Sequence, residues 1–148
     1  MIPIRSVVVS SVLLSKIEGE FKILLMKRVK GGFWCHVAGK VELDETASQA
    51  ILREIREETN IQPKHLFSAD YIEQFYEASL NVIEMIPAFV AICQDEQTVV
   101  LNKEHTEYRW CSLPEAKALV VFSNQRKLYD FVWENFVENK PEPLLQIY

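Results

Sequence analysis

Three glutamates in one short run carry the most evident chemistry of this chain. Between Gly39 and Ile61 the sequence reads GKVELDETASQAILREIREETNI, with Glu54, Glu57 and Glu58 close together near its end. At about 100° per residue on a helix, the three side chains fall within an arc of roughly 100° on one face. Carboxylates crowded in this way repel one another, and burial raises the cost. A divalent cation relieves that repulsion. Hard oxygen donors suit Mg²⁺, with Mn²⁺ as a substitute, ions that also keep water and phosphate oxygens in their shells. Arg53 lies four residues before Glu57 and can pair with it. Taken alone, Arg53 to Glu58 also fit a solvated helix face laced with such pairs.

The element that must hold these acids is legible at both ends. Thr46, with Gln49 three residues on, has the form of a capping box, and Asp44 and Glu45 add negative charge at the helix start. Alanines, aliphatic residues and long charged side chains then carry the helix with good intrinsic propensity. Ala47 and Ala50 leave room on the side of the acids. Asn60 stands where the helix should stop, and Asn is second only to Gly as a left-handed terminator. The spacing predicts a loop feeding one helix of about three to four turns.

This stretch resembles the signature of the Nudix hydrolase family, G-x5-E-x7-R-E-U-x-E-E-x-G-U, where U is aliphatic. Gly39, Glu45, Arg53, Glu54, Ile55, Glu57, Glu58 and Ile61 match it, and Asn60 replaces the last glycine. The resemblance implies that Glu54, Glu57 and Glu58 bind the metal that holds a diphosphate, with Glu54 also activating water. It implies that Arg53 orients Glu57, that Glu45 supports the loop, and that Gly39 lets the backbone pass close to metal or phosphate. It assigns Arg28 to the substrate's phosphates; read alone, Lys27 and Arg28 simply close a strand in solvent. Glu104, ahead of Trp110, stands where a further acid of the family joins the metal, although as a residue it also reads as a surface acid in a polar loop. The run Phe33 to Gly39 resembles the family's W-x-x-P-G-G approach, with Val37 and Ala38 in place of Pro and the first Gly. Trp34, Glu73, Gln74 and Phe75 are candidates for contacts to a base, whereas His36 reads as structural.

The rest of the chain sets the frame. Its 148 residues are the size of one ordinary domain, read as a single Nudix domain over 1–148, and 49% hydrophobic residues suffice for a core. No apolar run is long enough to span a bilayer, and the N-terminus lacks the pattern of a signal peptide. Cys35, Cys93 and Cys111 are scattered, without metal spacing, and read as reduced thiols, which points to the cytoplasm. A net charge of -5 argues against binding a nucleic-acid polymer.

Ile4 to Leu14 and Phe21 to Val29 read as a hairpin, Phe67 to Glu77 and Leu80 to Cys93 as two further strands, and Tyr108 to Ser112 as another. Pro114 opens a short helix, and a last helix runs from about Ser123, its expected cap, to Val137. Strands enclosing a central helix, with helices late in the chain, suggest an α/β sandwich. The resemblance sharpens this to the Nudix α/β/α arrangement, a mixed sheet between helices.

Phosphoanhydrides are anionic and repel hydroxide, so their hydrolysis needs charge neutralisation and a positioned water. The expected activity is therefore metal-dependent hydrolysis of a nucleoside diphosphate linked to another group, on a small phosphorylated nucleotide. Glu104 to Trp110 and Phe122 to Arg126 are similar to the family's nucleoside triphosphate and dihydroneopterin triphosphate pyrophosphatases. A dinucleoside polyphosphate or nucleotide-sugar hydrolase is the alternative within the family; Tyr76 is a weak pointer to the former. A nucleotide-sensing module without turnover is the alternative of another class, against which the intact set of signature acids counts. The resemblance also allows a homodimer.

Overall fold

The computed structural model describes residues 1–148. Eight strands form one mixed sheet: β1 (Ile4–Arg5), β2 (Val8–Ile17), β3 (Glu20–Arg28), β4 (Trp34–Cys35), β5 (Val37–Lys40), β6 (His65–Glu77), β7 (Val82–Ile92) and β8 (His105–Cys111). Three helices accompany it, α1 (Ala47–Thr59), α2 (Leu113–Leu119) and α3 (Ser123–Trp133). β2 lies at the centre, parallel to β7 and antiparallel to β3 and β5. It pairs with β5 along its first half and with β3 along its last turns of pleat.

The alternation of side chains explains why both faces of this sheet are covered. Val9 and Leu13 of β2, Leu24 and Met26 of β3, and Phe89 and Ala91 of β7 point to one side, where they meet Ala50, Ile51 and Ile55 of α1. Their neighbours Val12, Leu14, Ile23, Leu25, Ala88 and Val90 point to the other side, against Ala116 of α2 and Leu128, Tyr129 and Val132 of α3. The result is the α/β/α sandwich expected from the sequence, with α1 alone on one face.

α1 begins and ends as its sequence dictates. The Thr46 hydroxyl accepts from the Gln49 amide while the Gln49 side chain accepts from the Thr46 amide, which closes the capping box. Asn60 adopts the left-handed conformation at φ 57°, and its amide donates to the Arg56 carbonyl. Asn60→Ala is expected to cost about 1 kcal/mol, from the left-handed penalty on a Cβ-bearing residue, and Asn60→Gly to cost nothing or to stabilise. Urea melts of the two variants check this.

Several expectations about the elements need correction. The first strand is not one piece: Ile4 and Arg5 form β1 and pair in parallel with Ile83 and Glu84, and only from Val8 does the chain enter β2. β2 also runs on to Ile17, so the turn is the tight pair Glu18 and Gly19, both at positive φ. β8 starts at His105 rather than Tyr108. Ser123 does not cap α3. Phe122 holds the cap position without any side-chain bond, because its carbonyl already accepts from Gln125 and Arg126 and so places Ser123 inside the first turn. The last helix does reach the region of Val137, but Glu134–Glu138 is wound as a π-helix.

Candidate active site

β5 and α1 bring the signature residues together, and Arg53 is the knot. Its guanidinium grips Glu45 with two bonds, Nε to Oε1 at 2.6 Å and Nη2 to Oε2 at 3.0 Å. It also donates to the Lys40 carbonyl at 2.9 Å, to Glu54 Oε1 at 2.8 Å and to Glu57 Oε2 at 3.2 Å. Such a planar fork with five donors matches several carboxylates at once, which lysine cannot do. The Arg53 bond holds the Glu45 carboxyl below its usual range, helped by the Glu42 amide. Arg53 therefore fastens the loop ahead of α1 to the helix that carries the acids.

Gly39 has a specific steric reason to be glycine. A Cβ built at this position would fall inside the Glu54 carboxyl group, which lies directly over the β5 backbone. Gly39→Ala is expected to push that carboxylate aside and to cut turnover by about 10- to 100-fold, the scale of losing the support of a site residue, with little change in melting temperature. Steady-state kinetics beside thermal melts would show it. Burial raises the Glu54 pKa above the ordinary carboxylate range, against the opposing pull of Arg53.

Glu58 is the deepest of the acids, 3% exposed. Its Oε1 lies 3.6 Å from His105 Nε2, while its Oε2 is buried without a hydrogen-bond partner. Burial, reinforced by Glu54 and Glu104, pushes its pKa up to about 9. Burial pushes His105 down, despite Glu104. Both shifts favour the uncharged forms of the pair, a carboxylic acid beside an imidazole, over an ion pair. Cys35 completes this corner, with Sγ 3.9 Å from His105 Nε2 and a thiol that burial raises to about 12.

Glu58, Glu104 and His105 each offer a ligand atom, and these atoms lie within 4.8 Å of one another. Two buried polar atoms here lack partners, Glu58 Oε2 and His105 Nδ1. Buried groups of this kind are costly unless something binds them, and a donor set dominated by carboxylate oxygen fits a hard divalent cation. Glu54 and Glu57 are turned instead toward Arg53. Sequence reading did not single out His105. Its one local signal was the neighbouring Glu104; what places it is the β3–β8 pairing that sets Arg28 opposite His105.

A cavity of about 770 Å³ opens from this corner, in the range of small-molecule sites. Glu58, Glu104, His105, Arg28, Gly39 and Lys40 line it. Ser10, His36, Glu73, Phe75, Phe122 and Gln125 line it too. Trp34 and Gln74 are not among its lining residues: Trp34 packs beneath the Arg109 guanidinium, 5.2 Å from its ring centre, and Gln74 is exposed.

Comparison with known proteins places the chain in a family. The model of the NUDIX domain matches residues 5–132. Dihydroneopterin triphosphate diphosphatase of Escherichia coli is 27% identical over 122 residues, covering 74% of this chain and 81% of that protein. CTP pyrophosphohydrolase of Escherichia coli is 34% identical over 109 residues, covering 68% of this chain and 73% of its own length. An octanoyltransferase of Myxococcus xanthus is 29% identical over 112 residues, but the match spans only 31% of that longer protein. Among solved structures, an Ap4A hydrolase of C. elegans superposes with a TM-score of 0.78 at 22% identity, covering 89% of this chain and 98% of that one. By the domain match over most of its length and by the signature that gathers around Arg53, this chain belongs to the Nudix family.

Proposed function

We propose that this chain is a Nudix pyrophosphohydrolase that hydrolyses a nucleoside triphosphate, deoxynucleoside triphosphate or dihydroneopterin triphosphate to a monophosphate and pyrophosphate. The observation that carries the reading is the buried Glu58 carboxyl, with one oxygen unpartnered, set beside Glu104 and His105 in the lining of a cavity that Arg28 also lines. The names of two relatives, acting on dihydroneopterin triphosphate and on CTP, support the substrate class.

Glu58 and Glu104, with Glu54 and Glu57 from the same helix, would hold Mg²⁺, and His105 stands close enough to join them. A cation bound there supplies Lewis acidity toward phosphoanhydride oxygens and makes neighbouring water more acidic. The chain's own side chains do the rest. Arg28 and Lys40 offer positive charge to the phosphate groups from the cavity wall. Arg53 fixes the Glu54 carboxylate over Gly39, so that it meets water without reorganising. The burial that raises its pKa also makes Glu54 a better proton acceptor than a solvated carboxylate.

The test is release of pyrophosphate or phosphate from a panel of nucleoside triphosphates, dihydroneopterin triphosphate, diadenosine tetraphosphate and nucleotide sugars, with Mg²⁺ and with EDTA. Mg²⁺-dependent pyrophosphate release from a triphosphate is the expected result. Turnover confined to the dinucleotide or the sugars would move the substrate class. Nucleotide binding without any turnover would make the chain a sensing module.

A further inference from the structure

The same cavity is lined by a carboxylate of β6 with a different setting from the acids of α1. Glu73, on β6, is 7% exposed and lines the cavity. Its Oε2 accepts a short bond from the Ser10 hydroxyl and lies 3.4 Å from His36 Nε2. His36 is anchored in turn by Nδ1, 2.7 Å from the Tyr129 hydroxyl of α3. No protein donor reaches Glu73 Oε1, and that oxygen is not sealed away from solvent. Burial alone would raise the Glu73 pKa; the nearby His36 and the bonds from His36 and Ser10 outweigh it and bring it below the ordinary range. Glu73 is thus an anion held in one orientation, able to accept and unable to donate.

Two further observations describe what would lie against it. Gln125, which also lines the cavity, keeps its amide oxygen buried and without a partner, a second acceptor in want of a donor. Phe75 and Phe122 also line the cavity, and both are largely uncovered, 42% and 59% exposed, as surfaces for a flat ring would be. With one free oxygen on Glu73 and one on Gln125, the ring edge that satisfies both acceptors is one that offers two N–H donors. Adenine and cytosine place a ring nitrogen acceptor beside their amino group, and uracil flanks its single N–H with two carbonyls. Only the amino-lactam edge shared by guanine and pterin sets a ring N–H next to an exocyclic amine.

Building on the triphosphate reading above, we propose that Glu73 is a specificity-determining residue that selects an amino-lactam ring, guanine or pterin, its free Oε1 accepting one of the adjacent N–H donors and the Gln125 amide oxygen accepting the other. Hydrogen bonds to a charged acceptor in a desolvated site discriminate strongly against an analogue that lacks the donor.

The test compares kcat/KM with Mg²⁺ for GTP, dihydroneopterin triphosphate, ATP, CTP and inosine triphosphate, which differs from GTP only by the missing 2-amino group. GTP is expected to exceed inosine triphosphate by about 10- to 100-fold, as for one lost bond to a charged group. The higher of GTP and dihydroneopterin triphosphate names the ring. In Glu73→Gln the ratio of GTP to inosine triphosphate is expected to fall toward one, with melting temperature as the check on folding. If that variant does not fold, the comparison in the unaltered protein still decides. Equal turnover of GTP and inosine triphosphate, or preference for ATP or CTP over both amino-lactam substrates, overturns the assignment. If no triphosphate is hydrolysed, the proposed activity fails separately. The same GTP to inosine triphosphate ratio, read as binding constants by calorimetry, then decides the role of Glu73.

Discussion

Glu57→Gln is expected to lower kcat by about three orders of magnitude while leaving thermal stability unchanged, since losing a cation ligand, the role proposed for Glu57, would remove several kcal/mol of transition-state stabilisation. The expectation rests on where Glu57 sits. Its side chain is half exposed, and its one bond within the protein is to Arg53 Nη1 at 3.2 Å. An exposed ion pair of this kind contributes little to folding. The amide keeps the size of the side chain and removes the charge, so a large kinetic effect with an unmoved melting curve would mark a functional group. Near-normal turnover would remove Glu57 from the cation site.

Glu58→Gln should separate stability from activity in the opposite sense. The folded chain holds the Glu58 proton up to about pH 9, whereas an ordinary glutamate ionises near the reference value of 4.5. Between these values the folded state binds the proton and the unfolded state does not. Stability of the cation-free protein therefore falls as pH rises through this window and levels off above it. Glutamine cannot ionise, so the variant escapes this loss. Its melting temperature without Mg²⁺ is expected to match the parent near pH 5 and to exceed it by several degrees at pH 8 to 9, where one kcal/mol is worth roughly 2–4 °C for a chain of this size. Mg²⁺ should raise the melting temperature of the parent at pH 8 and that of the variant much less, because ligand binding stabilises in proportion to affinity. Turnover should fall with it. Identical melting profiles across pH for the two proteins would show that Glu58 does not carry the buried proton.

How much of this was legible beforehand depended on the range of the interaction. α1 could be read at both ends because caps are local: Thr46 finds Gln49 three residues away, and Asn60 terminates by its own backbone preference. The sandwich followed from strand alternation and the late helices. Longer-range facts were hidden. That Ile4 and Arg5 leave the hairpin to run parallel with β7 depends on a partner nearly eighty residues on. Arg28 and His105 meet through strand register, and Glu73 meets Ser10 and His36 through three separate strands or loops. The misplaced cap at Ser123 has a nearer cause. Hydroxyl residues favour the cap, but the carbonyl that opens α3 belongs to Phe122, whose ring lies 6.5 Å from that of Phe33. Spacing along the helix showed that three acids share a face; it could not show that Glu58 is buried with His105 while Glu54 and Glu57 turn to Arg53.

The neutral pairing of Glu58 with His105 has a consequence for the environment in which the protein works. In the proposed site a cation would enter only as the carboxyl group gives up its hydrogen ion, so the two would compete for one seat. If Glu58 takes the part proposed for it, acidity and scarcity of the divalent ion become interchangeable: a drop in pH would empty the seat just as dilution of the metal would, and a higher metal concentration would compensate for either.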